Sequence, residues 1–331
     1  MLQRLRANNV EGLTQFEILD LIVERYRRRT SWHKAEKALT LQGRAICRRL
    51  CDGDKDEAND LFDRIAKLKP DDIQAIIVGF PKGLSNLEVS AVHEVHPILV
   101  ARYSIELCRD QVEAELEMLV KQLPIINFIE RAEQAGVGAG SLAAIIGSAG
   151  NLYAYVTIQK LWKRMGLAVM PNGRQRPMRD AEQAKLHGYS PTRRSVMWNI
   201  GTSILRTQSQ RLAKEKDPKT GKMVPTGEIA RDAGVYRLLY DERKAYESAK
   251  NEAGDYAEQA AKRLSEASFD KKTSAYKAYS VGKLPPLHLH SRAQRYVEKR
   301  FLRELWVAWQ KMMEMPPVPV LAEQEAEKEL V

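Results

Sequence analysis

Apolar side chains recur along most of this chain at steps of three and four, the period of an amphipathic helix. Leu13, Phe16, Leu19, Ile22 and Val23 mark one face of a helix over 12–28. Ser31 stands where an N-cap is wanted. Ala35, Ala38, Leu39, Leu41 and Ile46 then give a second helix, over 31–51, its inward face. The run CDGDKDEAND from Cys51 turns into a short helix ending near Lys67. GFPKGLSN at 79–86 breaks the chain, with two Gly and one Pro in eight residues. A long helix follows over 87–123. Its stripe of Ile105, Cys108, Val112, Leu116, Leu119 and Leu123 suits a helical hairpin or a dimeric coiled coil.

From 124 onward the helical elements shorten. PIINFIERAEQ predicts a helix, GVGAG a tight turn and SLAAIIGSAG a second helix, with a third over NLYAYVTIQKLWKRMGLAV. Residues 170–185 form a polar, basic loop, and a helix runs from about Pro191 to Lys214. EKDPKTGKMVPTGE at 215–228 is a turn-rich loop or short hairpin. One long charged helix is expected over 234–267, anchored by Tyr236, Leu239, Tyr240, Tyr246 and Tyr256. A last helix runs to about Met313, and 315–331 is an acidic tail expected to be disordered. No convincing run of alternating strands appears, so the expected class is all-α. It comprises a helical region at 1–80, the long helix at 87–123 and a helical domain at 124–314.

Charge adds a location to this outline. The chain has 331 residues and a formal net charge of +10. Residues 158–222 hold 15 Lys and Arg against 4 Asp and Glu, a local net of +11. One segment therefore carries the whole excess, as a polyanion-binding surface would. No apolar run is long enough for a transmembrane helix, and the N-terminus lacks the pattern of a signal peptide. Three cysteines, Cys47, Cys51 and Cys108, fit a reducing compartment. Cys47 and Cys51, at i and i+4, are small core-side residues rather than half of a zinc site.

Chemistry concentrates at two places. Gly136-Val137-Gly138, between two short helices, has the helix-hairpin-helix pattern. Glycine there supplies backbone freedom and lets N–H groups of Gly136, Gly138 and Gly140 approach a phosphate. No strand precedes it and no Gly-Lys-Ser/Thr closes it, so dinucleotide and P-loop readings are weak. The second place is GYSPTRRSVMWNIG at 188–201, with Arg193 and Arg194 in the first turns of a helix and Ser190 as its N-cap. Lys163, Arg164, Arg174, Arg176 and Arg179 precede it. The pairs His93/His96 and His288/His290 suit packing or capping better than a metal. TGEIARDAGVY at 226–236 has a faint helix-turn-helix look, which a charged surface helix explains as well.

These segments resemble the C-terminal transposase domain of the insertion-sequence one-ten family, the Piv/MooV-like DEDD transposases. The likeness rests on residues 123–169, with their Gly-Val-Gly hairpin, apolar helix ending in glycine and Gly166-Leu167. GYSPTRRSVMWNIG, YRLLYDERKAY at 236–246 and RAQRYVEKRFLRELWVAW at 292–309 extend it, with an insertion near 247–283. The family's RuvC-like N-terminal domain needs a β-sheet, whereas 1–122 reads as helical. Its catalytic serine has no counterpart in AVMPNGRQRPMRDAEQAKLHG, and Ser190 is the nearest hydroxyl. The resemblance thus implies an all-α, helix-hairpin-helix transposase-like scaffold without its metal-binding domain.

The expected function is phosphate-directed binding of DNA, or of structured RNA, without intrinsic strand transfer. The expected contacts are Gly136, Gly138, Gly140, Lys163, Arg164, Arg174, Arg176, Arg179, Arg193 and Arg194. The alternatives are a divergent transposase or recombinase using Ser190 or a partner-supplied metal site, and a helical oligomeric structural protein. No cofactor is expected, with Mg²⁺ required only under the recombinase reading. The expected partners are nucleic acid and a second copy through 87–123, with no membrane. The expected setting is the bacterial cytoplasm, at the nucleoid.

Overall fold

The computed structural model describes residues 13–79, 83–171, 173–217, 220–266 and 268–312. The expected acidic tail at 315–331 lies outside them. The chain divides into two compact units, Asp20–Leu119 and Met1–Leu19 with Val120–Val331. Helices dominate both, as the hydrophobic period requires.

In the first unit, helix α1 (Gln15–Leu50) is continuous where two helices were expected. Thr30 and Ser31 do not cap a new helix. Their hydroxyls donate back to the carbonyls of Tyr26 (2.8 Å) and Arg27 (3.2 Å), the i−4 bond open to hydroxyls inside a helix. Leu41, expected inward, is 58% exposed. Asp54 caps α2 (Lys55–Ile65) by accepting from the amides of Asp56 and Glu57. Pro70 opens α3 (Pro70–Ile77) at a position where its missing N–H is harmless. Helix α4 (Asn86–Lys121) runs antiparallel to α1. Arg25 pairs with Glu115 (2.7 Å), Arg29 with Glu113 (2.8 Å) and Glu36 with Arg109, so rising numbers meet falling ones.

The stripe on α4 is consumed largely within the chain. Val112, Leu116 and Leu119 are buried, Ile105 is half-buried and Cys108 is exposed. Cys47 and Cys51 pack with Leu61, Phe62, Ala91, Val92 and Val95. Burial pushes the Cys47 thiol up to about 11, which keeps it protonated and suits a packing role.

The second unit is organised around α13 (Pro286–Met312), whose Phe301, Leu302, Leu305, Trp306 and Trp309 are buried. Against it lie α7 (Ile158–Arg164), α9 (Pro191–Thr207) and α10 (Val235–Glu252), and α6 (Ala139–Ala149) packs on α9. Helix α5 (Ile126–Ile129) is a single turn, and a 3₁₀ turn at Ala132–Gln134 completes the segment expected as one helix. The basic loop contains a two-residue ladder, β1 (Val169–Met170) with β2 (Gly173–Arg174), and a short helix α8 (Ala181–His187). Helix α9 stops at Thr207, not Lys214.

After α9 the chain forms an antiparallel ribbon, β3 (Arg211–Lys216) with β4 (Met223–Arg231). The segment 226–231 is thus strand, which rules out the helix-turn-helix look of TGEIARDAGVY. The helix expected over 234–267 is broken at Gly254 (φ +87°), leaving α10 and α11 (Ala257–Glu266). Helix α12 (Ser274–Ser280) follows, capped by the Thr273 hydroxyl.

Candidate nucleic-acid interface

The Gly-Val-Gly turn is held by packing on one side and open on the other. Gly136 has φ +99°, and a Cβ there would lie 2.8 Å from the Ile204 Cα and 2.9 Å from the Ser203 carbonyl oxygen of α9. Val137 turns inward, beside a core that includes Leu142, Ile145 and Ile146 of α6. Gly138 is the N-cap of α6 in extended backbone, with no side-chain cap. Gly138 and Gly140 are exposed, and a Cβ on either would meet nothing within 4 Å. The first amides of α6 therefore face solvent at the positive end of a helix dipole.

Buried Gln208, at the end of α9, ties this turn to the base of the ribbon. Its Nε2 donates to the carbonyls of Glu133 (2.9 Å) and Ala135 (3.0 Å), and its Oε1 accepts from the Tyr236 amide (2.9 Å). Arg231 adds bonds to the carbonyls of Thr207 and Ser209. The ribbon projects from this anchored base with nearly every residue exposed. Arg211, Lys214, Lys216, Lys222 and Arg231 supply its cations, and Leu212, Met223 and Ile229 also face solvent. A two-stranded ribbon is one of the shapes a DNA major groove admits.

The arginines expected to act with the glycines gather elsewhere. Arg164 Nε donates to the Ser148 carbonyl (3.3 Å), at the C-terminal end of α6. Eleven residues of helix, about 16 Å, separate that end from Gly138. Arg193 clamps two helix ends, donating to the carbonyls of Arg164 (2.7 Å) and Gly188 (3.2 Å). Burial, and then Arg164, hold its pKa below the usual arginine value. Ser190 caps α9, accepting from the Arg193 amide at 3.4 Å. Lys163, Arg174 and Arg179 are exposed, and Arg176 is half-buried.

Arg194 differs from the others. It forms an ion pair of 2.7 Å with Glu298 of α13, a carboxylate with no exposed side-chain surface. Gly201 makes room for that carboxylate, since a Cβ there would lie 2.8 Å from Glu298 Cγ. Gln294 Nε2 completes the seam, donating to Glu298 Oε1 (3.1 Å) and the Trp198 carbonyl (2.9 Å). Burial pushes the Glu298 carboxyl up, while Arg194 and Arg295 pull it down.

The sequence reading gave His288 a packing or capping role and assigned none to Arg263, Arg292 and Arg295, which together with Arg174 act electrostatically on His288. The available signal was His288, Arg292, Arg295 and Lys299 at i, i+4, i+7 and i+11, one face of a single helix. Burial, then Arg292, Arg263, Arg174 and Arg295, depress His288 to about 4. An unfolded histidine titrates near 6.5, so the unfolded chain takes up that proton first. Stability from this group is whole above about 6.5 and falls as pH drops toward 4, by about 2 kcal/mol at pH 5. Urea melts at pH 7 and pH 5 are expected to show this loss, and His288→Gln to reduce it.

Among the described residues, no group of three or more His, Cys, Asp or Glu is placed to hold a metal ion. No described helix is long and apolar enough to cross a membrane. No protein-family model matches the chain, and no curated protein or solved structure matches it significantly.

Proposed function

We propose that the chain binds nucleic acid, DNA before structured RNA, chiefly through phosphates. One observation carries this reading: the +11 of residues 158–222 is left largely unanswered by the fold. Lys185 pairs with Glu182 inside the segment and Arg194 with Glu298 outside it, while among the described residues no ion pair reaches Lys163, Arg174, Arg176 or Arg179. Unpaired surface cations of this density hold a counterion atmosphere that a polyanion displaces with a gain in entropy.

Two surfaces would share the work. Near the glycine turn, the open amides of α6 contact a phosphate and the ribbon enters an adjacent groove. At the far end of α6, Lys163, Arg164, Arg174, Arg176 and Arg179 meet backbone further along. Arg193 and Arg194 act on this reading as positioning residues, since carbonyls and Glu298 already occupy their guanidinium groups. Backbone contacts of this kind fix register and carry no base information.

The resemblance to the transposase domain is compatible with such a role, and the proposal does not lean on it. Crosslinking in the source cell, followed by sequencing of bound DNA and RNA, tests the reading. Recovery of DNA at crosslinks mapping to 158–231 is the expected result. Recovery of neither nucleic acid would sink it.

A further inference from the structure

Helix α13 turns one face into the core and a second toward an open cavity in the same unit. Arg300, Arg303, Glu304, Val307, Lys311 and Met312, at i, i+3, i+4, i+7, i+11 and i+12, line it from one side of the helix. They span about 18 Å of helix axis. The other walls come from Ile125 and Phe128 around α5, Gln134 of the 3₁₀ turn, and Val235 and Tyr236 at the start of α10. The cavity measures about 830 Å³, within the range that takes a small organic molecule.

The lining changes character along α13. Its polar end is built on buried Tyr236, whose hydroxyl sits between Glu304 Oε2 (2.6 Å) and Gln134 Oε1 (3.0 Å). Burial, and then the bond to Glu304, push the tyrosine pKa well up, so the hydroxyl stays protonated. Arg300 Nε donates to Glu304 Oε1 (2.8 Å), so that carboxylate is answered twice. Glu133 is the other acid of the lining, against four cations, Arg131, Arg300, Arg303 and Lys311. Among the described residues, no ion pair reaches Arg131, Arg303 or Lys311, and Arg131 lies over the Phe128 ring, 5.7 Å from its centroid. One turn beyond Glu304, half-buried Val307, Ala308 and Met312 make the same face apolar, and Val235 beside the cavity is 51% exposed.

We propose that this cavity binds an organic acid with an apolar body, aryl or alkyl, whose carboxylate pairs with Arg303. A purely apolar molecule would leave the Arg303 guanidinium against hydrocarbon. A small inorganic anion would leave the apolar end against water. A carboxylate on an apolar body satisfies both ends, and the guanidinium fork matches a carboxylate with two parallel bonds. Arg300 and Tyr236 hold Glu304 and so keep it from competing for Arg303. The site shares no residue with the surfaces assigned to phosphates and stands or falls apart from the nucleic-acid reading.

Isothermal titration calorimetry of the full chain tests the proposal, with 2-naphthoate and dodecanoate as probes, each compared with its neutral amide. At least one carboxylate is expected to bind, about tenfold more tightly than its amide, as one charge-assisted bond provides. Arg303→Gln is expected to lose about that tenfold for the acid and to leave the amide unchanged. Ala308→Trp fills the apolar end and is expected to abolish binding of acid and amide alike. Arg303 has no ion pair to lose and Ala308 faces the cavity, so both variants should melt close to the parent by circular dichroism.

Binding of 2-naphthoate alone supports the site and assigns it a flat aryl body. Binding of dodecanoate alone supports it and assigns an extended alkyl chain, and binding of both supports a site tolerant of either. Binding of neither carboxylate, equal affinity for acid and amide, or full affinity kept in both variants overturns the proposal.

Discussion

Gly136→Ala is expected to destabilise the second unit by about 3–5 kcal/mol, a large fraction of a typical domain's stability. Two costs add. The backbone at Gly136 sits at φ +99°, where an L side chain costs about 1–3 kcal/mol. The new methyl would also meet the backbone of Ile204 at 2.8 Å, and backbone cannot swing aside as a flexible side chain can. Overpacking of this kind costs about 1–3 kcal/mol more. Gly138→Ala provides the control, because its φ is −110° and its Cβ would be unobstructed. Gly140→Ala should even stabilise α6 by about 0.5–1 kcal/mol. Equilibrium urea unfolding of the three variants checks this order. Near-equal midpoints for Gly136→Ala and Gly138→Ala would refute the packing account. The two tolerated variants also separate fold from binding, since weakened nucleic-acid binding by either would come from the blocked approach to the α6 amides.

Glu298→Ala is expected to cost a further class of energy, about 3–5 kcal/mol, by leaving Arg194 buried without its partner. Arg194 keeps only 13% of its side chain exposed, and Arg295 stands beside the same carboxylate. Removing the carboxylate therefore leaves two guanidinium groups facing one another across a dry seam between α9 and α13. The pair itself need not be strongly stabilising, because desolvation offsets most of the Coulomb gain. The double variant Arg194→Met with Glu298→Met is accordingly expected to recover most of the loss. Denaturant midpoints of the single and double variants read the difference. A single variant as stable as the parent would show that the seam is hydrated or already uncompensated.

Much of the helical framework was legible in the sequence because each long helix has a buried face. The stripe Val112, Leu116 and Leu119 is inward as its spacing requires, and Tyr236 and Tyr240 anchor α10. The failures have physical causes. Ser31 looks like a cap, but a hydroxyl bonded to the i−4 carbonyl lets α1 run on. The ribbon at 211–231 gave only a turn signal because neither of its faces is buried, so no alternation was imposed on its side chains. Gly254 broke the predicted 234–267 helix, since a charged surface helix has little packing to carry it through a glycine.

At the candidate interface, the sequence located the charge and misjudged its grouping. Arg193 and Arg194 were read as free because their partners, the Arg164 carbonyl and Glu298, lie far away along the chain. Gly136 drew notice as a phosphate-facing glycine, and the close approach of α9 gives it a second reason that no local pattern could reveal. Arg263, Arg292 and Arg295 went unassigned for the same reason. With Arg174 they come from three elements, β2, α11 and α13, and only the α13 spacing hinted at a shared face.

The central claim is that unanswered charge at 158–222 grips phosphates, and salt dependence tests it most directly. Fluorescence anisotropy of a labelled DNA duplex, and of a structured RNA, should be measured at 50 and 200 mM salt with the full chain. Six to ten phosphate contacts predict a loss of affinity of about 10³–10⁵-fold over that range. Affinity unchanged between the two salt concentrations, or no binding at 50 mM, would contradict the account.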